Sequence, residues 1–295
     1  MATARPPSRA FFDGSTPTVD IHQGDNLELL PRFRSGLFAL IYVDPPFNTG
    51  RTQRRERLRA VHDPRGARLG FHGRRYRTRA LASPAFADRF DDYLAFLEPR
   101  LVEAHRLLAP QGSFFLHLDC REVHYAKVLL DSIFGRDSFL NEIIWAYDYG
   151  ARSTKRWSPK HDTILWYAKD PRRYTFHHAA IDRIPYMAPG LVGAEKAARG
   201  KTPTDTWWHT IVSPTGKEKL NYPTQKPLGI LNRIVRVHSN PGELLLDFFA
   251  GSGTLGEAAL RHGRRAVLID ESRAACALMQ KRLAFAAPRT RRARA

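Results

Sequence analysis

The chain reads as an α/β protein built on a mostly parallel sheet. Two observations predict this. Short apolar runs alternate with amphipathic segments over most of the 295 residues, the rhythm of strands joined by crossover helices. Two of those runs also end in polar motifs, at Asp44 and at Asp247, and α/β sheets bind ligands beyond the carboxyl ends of their strands.

Taken in order, residues 1–17 hold Pro, Ser and Arg and are expected to be poorly ordered. Val19 opens a short strand. Gly24-Asp25-Asn26 follows it, a polar turn that is either a ligand edge or a helix cap. Phe38–Val43 is a continuous apolar run, expected as a buried strand. It ends in Asp44-Pro45-Pro46-Phe47. The prolines remove donors and stiffen the exit, which leaves carbonyl acceptors, one carboxylate and an aromatic face. That set suits a planar ring bearing an exocyclic amine.

Residues 51–80 carry eleven arginines against Glu56 and Asp63, half of the chain's net +18. This stretch, extended to 85, is expected as a long basic loop. Arg51, Arg54, Arg55, Arg74 and Arg75 are its candidate phosphate contacts. Asp91 or Asp92 caps a helix bearing Leu94, Leu97 and Leu101, which Pro99 should kink or split. Ser113–Leu118 is a strand, 123–134 a helix, and 141–147 and 163–168 two more strands. Between the last two lies a basic, aromatic loop with Lys155, Arg156 and Lys160, suited to facing DNA.

Residues 171–222 break the rhythm and read as a small inserted module with Trp207-Trp208, at least one of which belongs to its core. A helix is expected from Thr224 to Val237. Glu243–Phe249 is a strand, followed by Ala250-Gly251-Ser252-Gly253-Thr254, a helix, and a strand ending in Asp270-Glu271. Glycines admit close approach of a ligand, and the acid can take both ribose hydroxyls. By spacing alone this half fits a nicotinamide dinucleotide as well as S-adenosylmethionine. Asp247 leans toward the latter: an ammonium welcomes a carboxylate there and a pyrophosphate does not. The Arg-rich tail, 288–295, is expected to be disordered.

The net charge favours a polyanionic partner. Cys120 and Cys276 are far apart and are expected as buried apolar residues, with neither a disulfide framework nor a metal site. The chain has neither a signal-peptide core nor an apolar run of membrane-spanning length, so a cytosolic setting is expected.

With both motifs in view, the chain resembles the amino-methylating DNA methyltransferases, which move a methyl from S-adenosylmethionine to the exocyclic amine of adenine or cytosine. Asp44-Pro45-Pro46-Phe47 matches their catalytic motif, with Phe47 in place of the more frequent Tyr. The stretch from Asp247 to Thr254 matches their cofactor motif. Pro223-Thr224-Gln225-Lys226-Pro227 matches the segment that helps bind the methionine part, and Asp270 matches the ribose-binding acid. The order, catalytic motif first, is that of the beta group.

The resemblance implies a circularly permuted, mostly parallel seven-stranded sheet, with 18–170 as the catalytic half and 223–287 as the cofactor half. It makes 171–222 a target-recognition module. The cofactor residues implied are Asp25, Asp44, Thr224, Lys226, Asp247, Phe249, Ala250, Gly251, Ser252, Gly253, Thr254, Asp270 and Glu271. S-adenosylhomocysteine is the implied product, no metal is needed, and the implied setting is prokaryotic or phage. Double-stranded DNA is the implied partner; a homodimer and a cognate restriction endonuclease are left open. Asp at the first catalytic position favours adenine N6, with cytosine N4 the alternative. Two rivals of other classes stand beside it: a nicotinamide-dependent oxidoreductase and a noncatalytic DNA-binding protein on the same scaffold.

Overall fold

The computed structural model describes residues 18–54, 57–62, 68–69, 75–81, 85–88, 90–150, 152–213, 215–216 and 218–292; between 51 and 87 the description is of backbone alone. The strands are β1 (Val19–Gln23), β2 (Phe38–Val43), β3 (Arg51–Arg54), β4 (Arg57–His62), β5 (Arg68–Leu69), β6 (Arg75–Leu81), β7 (Ala85–Asp88), β8 (Leu108–Leu118), β9 (Phe139–Ala146), β10 (His161–Ala168), β11 (Thr206–Trp208), β12 (Leu244–Asp247), β13 (Arg265–Asp270) and β14 (Arg289–Arg292). The helices are α1 (Asn26–Leu29), α2 (Tyr93–Leu107), α3 (Val123–Phe134), α4 (Ala194–Arg199), α5 (Leu228–His238), α6 (Thr254–Arg261) and α7 (Arg273–Arg282).

Among the described residues the main sheet has nine strands, ordered β11-β9-β10-β8-β2-β12-β13-β1-β14. The expected seven are its interior. β10 alone runs against its neighbours, and the other pairings are parallel. The central strands β2 and β12, and the middle of β13, are buried on both faces, which is why they read as apolar runs. Alternate residues divide between two cores. Ile41 and Val43 of β2, with Leu246 and Val267, pack under α1, α2 and α3; Leu40 and Tyr42, with Leu245 and Leu268, pack under α5, α6 and α7. This is a sheet between two helical layers.

Several expectations change. Residues 51–85 are not a loop: β3 pairs with β7, and β4 and β5 pair with β6, all antiparallel. The reason is a period-2 alternation, Arg75-Tyr76-Arg77-Thr78-Arg79-Ala80-Leu81, which is a strand signal whatever the charge. Arg55 and Arg74 lie outside the described residues, as do 1–17 and 293–295. The basic tail does not trail away. Arg289–Arg292 pairs with β1, and Arg289 lies 3.5 Å from the buried Asp20 carboxylate. α2 runs continuously through Pro99, capped by Asp92, whose side chain accepts from the Ala95 amide. α5 begins at Leu228 rather than Thr224: the residue before Pro227 is biased away from helix, and Thr224 has φ of 56°. Cys276 is buried as expected, but Cys120, one residue past Asp119, is exposed. The 171–222 segment is irregular, with α4 and the strand β11, which joins the sheet edge beside β9. Strand alternation buries Trp207 and leaves Trp208 72% exposed.

One buried cation ties the glycine turn to the last helix. Arg282 Nε lies 2.5 Å from Glu257 Oε2, and its Nη1 donates to Thr254 Oγ1 at 2.9 Å. Its side chain is 3% exposed. Removing one member of such a pair leaves a buried charge uncompensated. We expect Arg282→Met to lower unfolding free energy by about 3 kcal/mol, measured by urea denaturation.

Candidate active site

β2, β8 and β12 run in parallel, so Asp44, Asp119 and Asp247 reach the same edge of the sheet. A cavity of about 430 Å³ opens there, a size that suits a cofactor. It is lined by all four residues 44–47 and, from the other side, by Asp247, Phe249, Ala250, Gly251, Ser252, Thr254, Asp270 and Glu271. Asp25, Thr224 and Lys226 complete the wall. The two motifs therefore share one cavity.

The exit from β2 is held on several sides. The Tyr93 hydroxyl donates to the Pro46 carbonyl at 2.6 Å. Asn48 takes a left-handed φ of 53°, which Asn tolerates better than most residues. There its side-chain amide donates to Glu122 Oε1 at 2.7 Å, and its carbonyl accepts from the Phe90 amide. Pro46 is thus not a free acceptor as the sequence suggested; among the described residues none donates to the Pro45 carbonyl.

Asp44 meets the Pro223-Thr224-Gln225-Lys226-Pro227 segment directly. Lys226 Nζ lies 2.7 Å from Asp44 Oδ1 and 4.6 Å from the centre of the Phe47 ring. Both side chains are largely buried. Gln225 fixes the segment by donating to the Glu218 carbonyl and accepting from the Leu220 amide.

The glycine turn is built for close approach. Gly251 has φ of +48°, and a Cβ there would meet the Tyr222 ring at 2.9 Å. Gly253, φ +75°, does not line the cavity; it turns the chain into α6, where a Cβ would strike Met279. Asp270 accepts from the Gly251 amide and the Ser272 amide, both at 2.8 Å. It therefore clamps the turn to β13, while Glu271 stands at the cavity wall beside it. Asp25 is both things the sequence offered, the cap of α1 and a cavity residue.

Asp247 is buried, and its Oδ1 accepts from the Phe249 amide. Burial pushes its carboxyl well above the ordinary range, with Asp44 and Asp270 adding to the effect. Burial likewise raises Asp270 to about 6. A carboxylate held this way calls for a cation.

Some cavity residues escaped the sequence reading. Arg100 is buried on α2, donates from Nε to Asn26 Oδ1 at 2.7 Å, and lies 3.5 Å from Asp25. A charge at helical spacing from Leu97 on the apolar face was the available signal. Arg121 also lines the cavity and pairs with Asp119. Of the expected DNA contacts, Lys155 and Arg156 are exposed, whereas Lys160 Nζ donates to the Gly150 carbonyl within its own loop. The side chains of Arg51, Arg54 and Arg75 lie outside the described residues.

The family model for DNA methylases of the N6/N4 methyltransferases matches residues 38–281. The chain belongs to this family. Its stretch from β2 to α7 is the matched part, so the family spans both motifs and the module between them. The chain is 31% identical to the type II methyltransferase M.HpaI of Haemophilus parainfluenzae over 66% of its own length and 60% of that protein's. It is 29% identical to the DNA adenine methyltransferase YhdJ of Escherichia coli K12, over 92% of itself and 83% of the relative. Among solved structures it resembles the M1.HpyAVI complex with S-adenosylmethionine at a TM-score of 0.59 and 20% identity, covering 90% and 99% of the two chains. The cytosine-N4-specific PvuII DNA methyltransferase matches at 0.59 and 17%, covering 90% and 87%. No helix among the described residues is long and apolar enough to cross a membrane.

S-adenosylmethionine is the cofactor of this family. The residues of this cavity fit it: a buried carboxylate at Asp247 with no ion pair of its own among the described residues, a turn with no room for a side chain at Gly251, and an acidic rim at Asp270-Glu271. A cationic ligand binds ionised Asp247, and burial keeps that carboxyl protonated at low pH. Affinity for S-adenosylhomocysteine, which carries an ammonium, is therefore expected to rise with pH as the Asp247 carboxyl ionises. Asp247→Asn should weaken binding and flatten that rise, read by calorimetry across the pH series.

Proposed function

We propose that this chain methylates the N6 amine of adenine in duplex DNA at a specific site. The observation that carries the reading is the sharing of one cavity by Asp44, Phe47 and the glycine turn. An amine in a paired, stacked base is out of reach of a cavity at a sheet edge, so the target must leave the helix. Phe47 offers a face for the extruded ring. Asp44 and the Pro45 carbonyl are acceptors for the two amine hydrogens, which turns the nitrogen lone pair outward. S-adenosylmethionine, when bound, supplies the electrophilic methyl.

Lys226 orients the Asp44 carboxylate through Oδ1, so that Oδ2 is the oxygen facing the amine. The amine sheds one proton as it becomes methylated, and the Asp44 carboxyl oxygen beside it is the acceptor. Positioning and preorganised charge supply the acceleration. In this reading the 171–222 module and the basic strands of 51–88 read the site and grip the phosphates, with Lys155 and Arg156 adding contacts. Family membership covers cytosine N4 as well; Asp44 at the head of the motif favours adenine.

Single-molecule sequencing of DNA from a methylation-free host expressing the chain tests this. Modified adenine in one recurring motif is expected. Modified cytosine N4 would keep the mechanism and replace the base, and unmodified DNA with folded, cofactor-binding protein would overturn the activity. Asp44→Ala should cut transfer by roughly 10²–10³-fold while leaving S-adenosylhomocysteine binding close to the parent's.

A further inference from the structure

The segment between β9 and β10 carries a feature the proposed chemistry does not use. β9 is antiparallel to β10, which is antiparallel to β8, so β9 ends at the same sheet edge as Asp44. Its foot is packed against the candidate site by a run of rings: Phe47 to His117 at 6.0 Å, His117 to Trp145 at 5.5 Å, and Trp145 to Tyr147 at 5.1 Å. Tyr147 also donates to Asp162 at 3.0 Å.

Beyond that foot the loop is shaped by its own hydrogen bonds. Ser153 Oγ accepts from the amides of Lys155 and Arg156 at 3.2 and 3.3 Å. The Ser153 amide donates to Ser158 Oγ at 2.8 Å, closing the tip, and Lys160 Nζ braces the base against the Gly150 carbonyl. At the apex Trp157 is 98% exposed. A shaped tip holds a large apolar ring out in water, directly after the exposed Lys155 and Arg156 in the chain. Tryptophan is seldom left so bare. The flanking cations, on a chain of net +18, disfavour a second copy as the cover and favour a polyanion with flat apolar faces inside it.

We infer that Trp157 enters the duplex as the target base leaves, stacking in the vacated gap while Lys155 and Arg156 hold the adjoining phosphates. Apolar wedges that replace a lost stack offset part of the cost of unstacking. The inference rests on the proposed methylation of a base in duplex DNA.

Two duplexes bearing the site found by sequencing decide it, one fully paired and one with an abasic position opposite the target, where extrusion is cheap. Trp157→Ala should lose roughly tenfold to a hundredfold in kcat/KM on the paired duplex, recover to near the parent on the abasic one, and bind S-adenosylhomocysteine like the parent. Trp157→Phe, which keeps a stacking ring, should retain most activity on both. An equal loss on the two duplexes, or no loss on either, would overturn the role. A parent chain that methylates neither duplex would reject the functional reading itself, a result distinct from both.

Discussion

The ion pair between Lys226 and Asp44 holds this structure's chemistry together. It joins a strand end near the start of the chain to a segment near its finish, across a cavity both help to line. The ammonium is surrounded by carboxylates. Asp44 is its contact, and Asp119, Asp162 and Asp247 all feel its charge. Acids gathered at a sheet edge repel one another and resist ionisation when buried. One buried cation among them lowers that cost, and the Phe47 face above it adds a cation–π contact. The position of Lys226 in turn depends on Gln225, Glu218 and Pro227, which set where α5 begins.

From this pair the division of labour in the cavity follows. The β2 end presents acceptors and an aromatic face; the β12 end presents a glycine turn and acids. Both ends are held by their neighbours. The first is braced by Tyr93, Asn48 and Phe90, the second by Asp270 in front and Arg282 behind. Such bracing keeps a site in shape before its ligands arrive, which lowers the ordering cost of binding.

Much of this was legible from residues alone. The apolar runs of β2, β8 and β12, buried on both faces, announce themselves, and so do the polar motifs at their ends. The misreadings have physical causes. In residues 51–85 the arginine count drew attention from the alternation between Arg and Tyr, Thr or Ala, and the alternation is what sets the backbone. β14 has no apolar residue at all; Arg289–Arg292 is a strand because β1 offers an unpaired edge, a tertiary fact no local pattern encodes. Arg100 hides because a charge on an apolar helix face has meaning only once its partners Asn26 and Asp25 are known to be close. Lys160 shows the converse, a basic residue in a basic loop whose ammonium is occupied by its own backbone.

The place of β1 has a consequence for how the chain reaches this state. Its two neighbours, β13 and β14, are both made from the far end of the sequence. β2 likewise waits for β12 on one side. During synthesis β1 emerges with both edges open, and β2 with the edge that β12 later fills, until β12 and β13 are available. Non-local parallel pairing of this kind is slow and exposes sticky edges meanwhile. The arrangement that brings the ends of β2 and β12 to one cavity thus ties maturation of the site to the synthesis of β12 and β13.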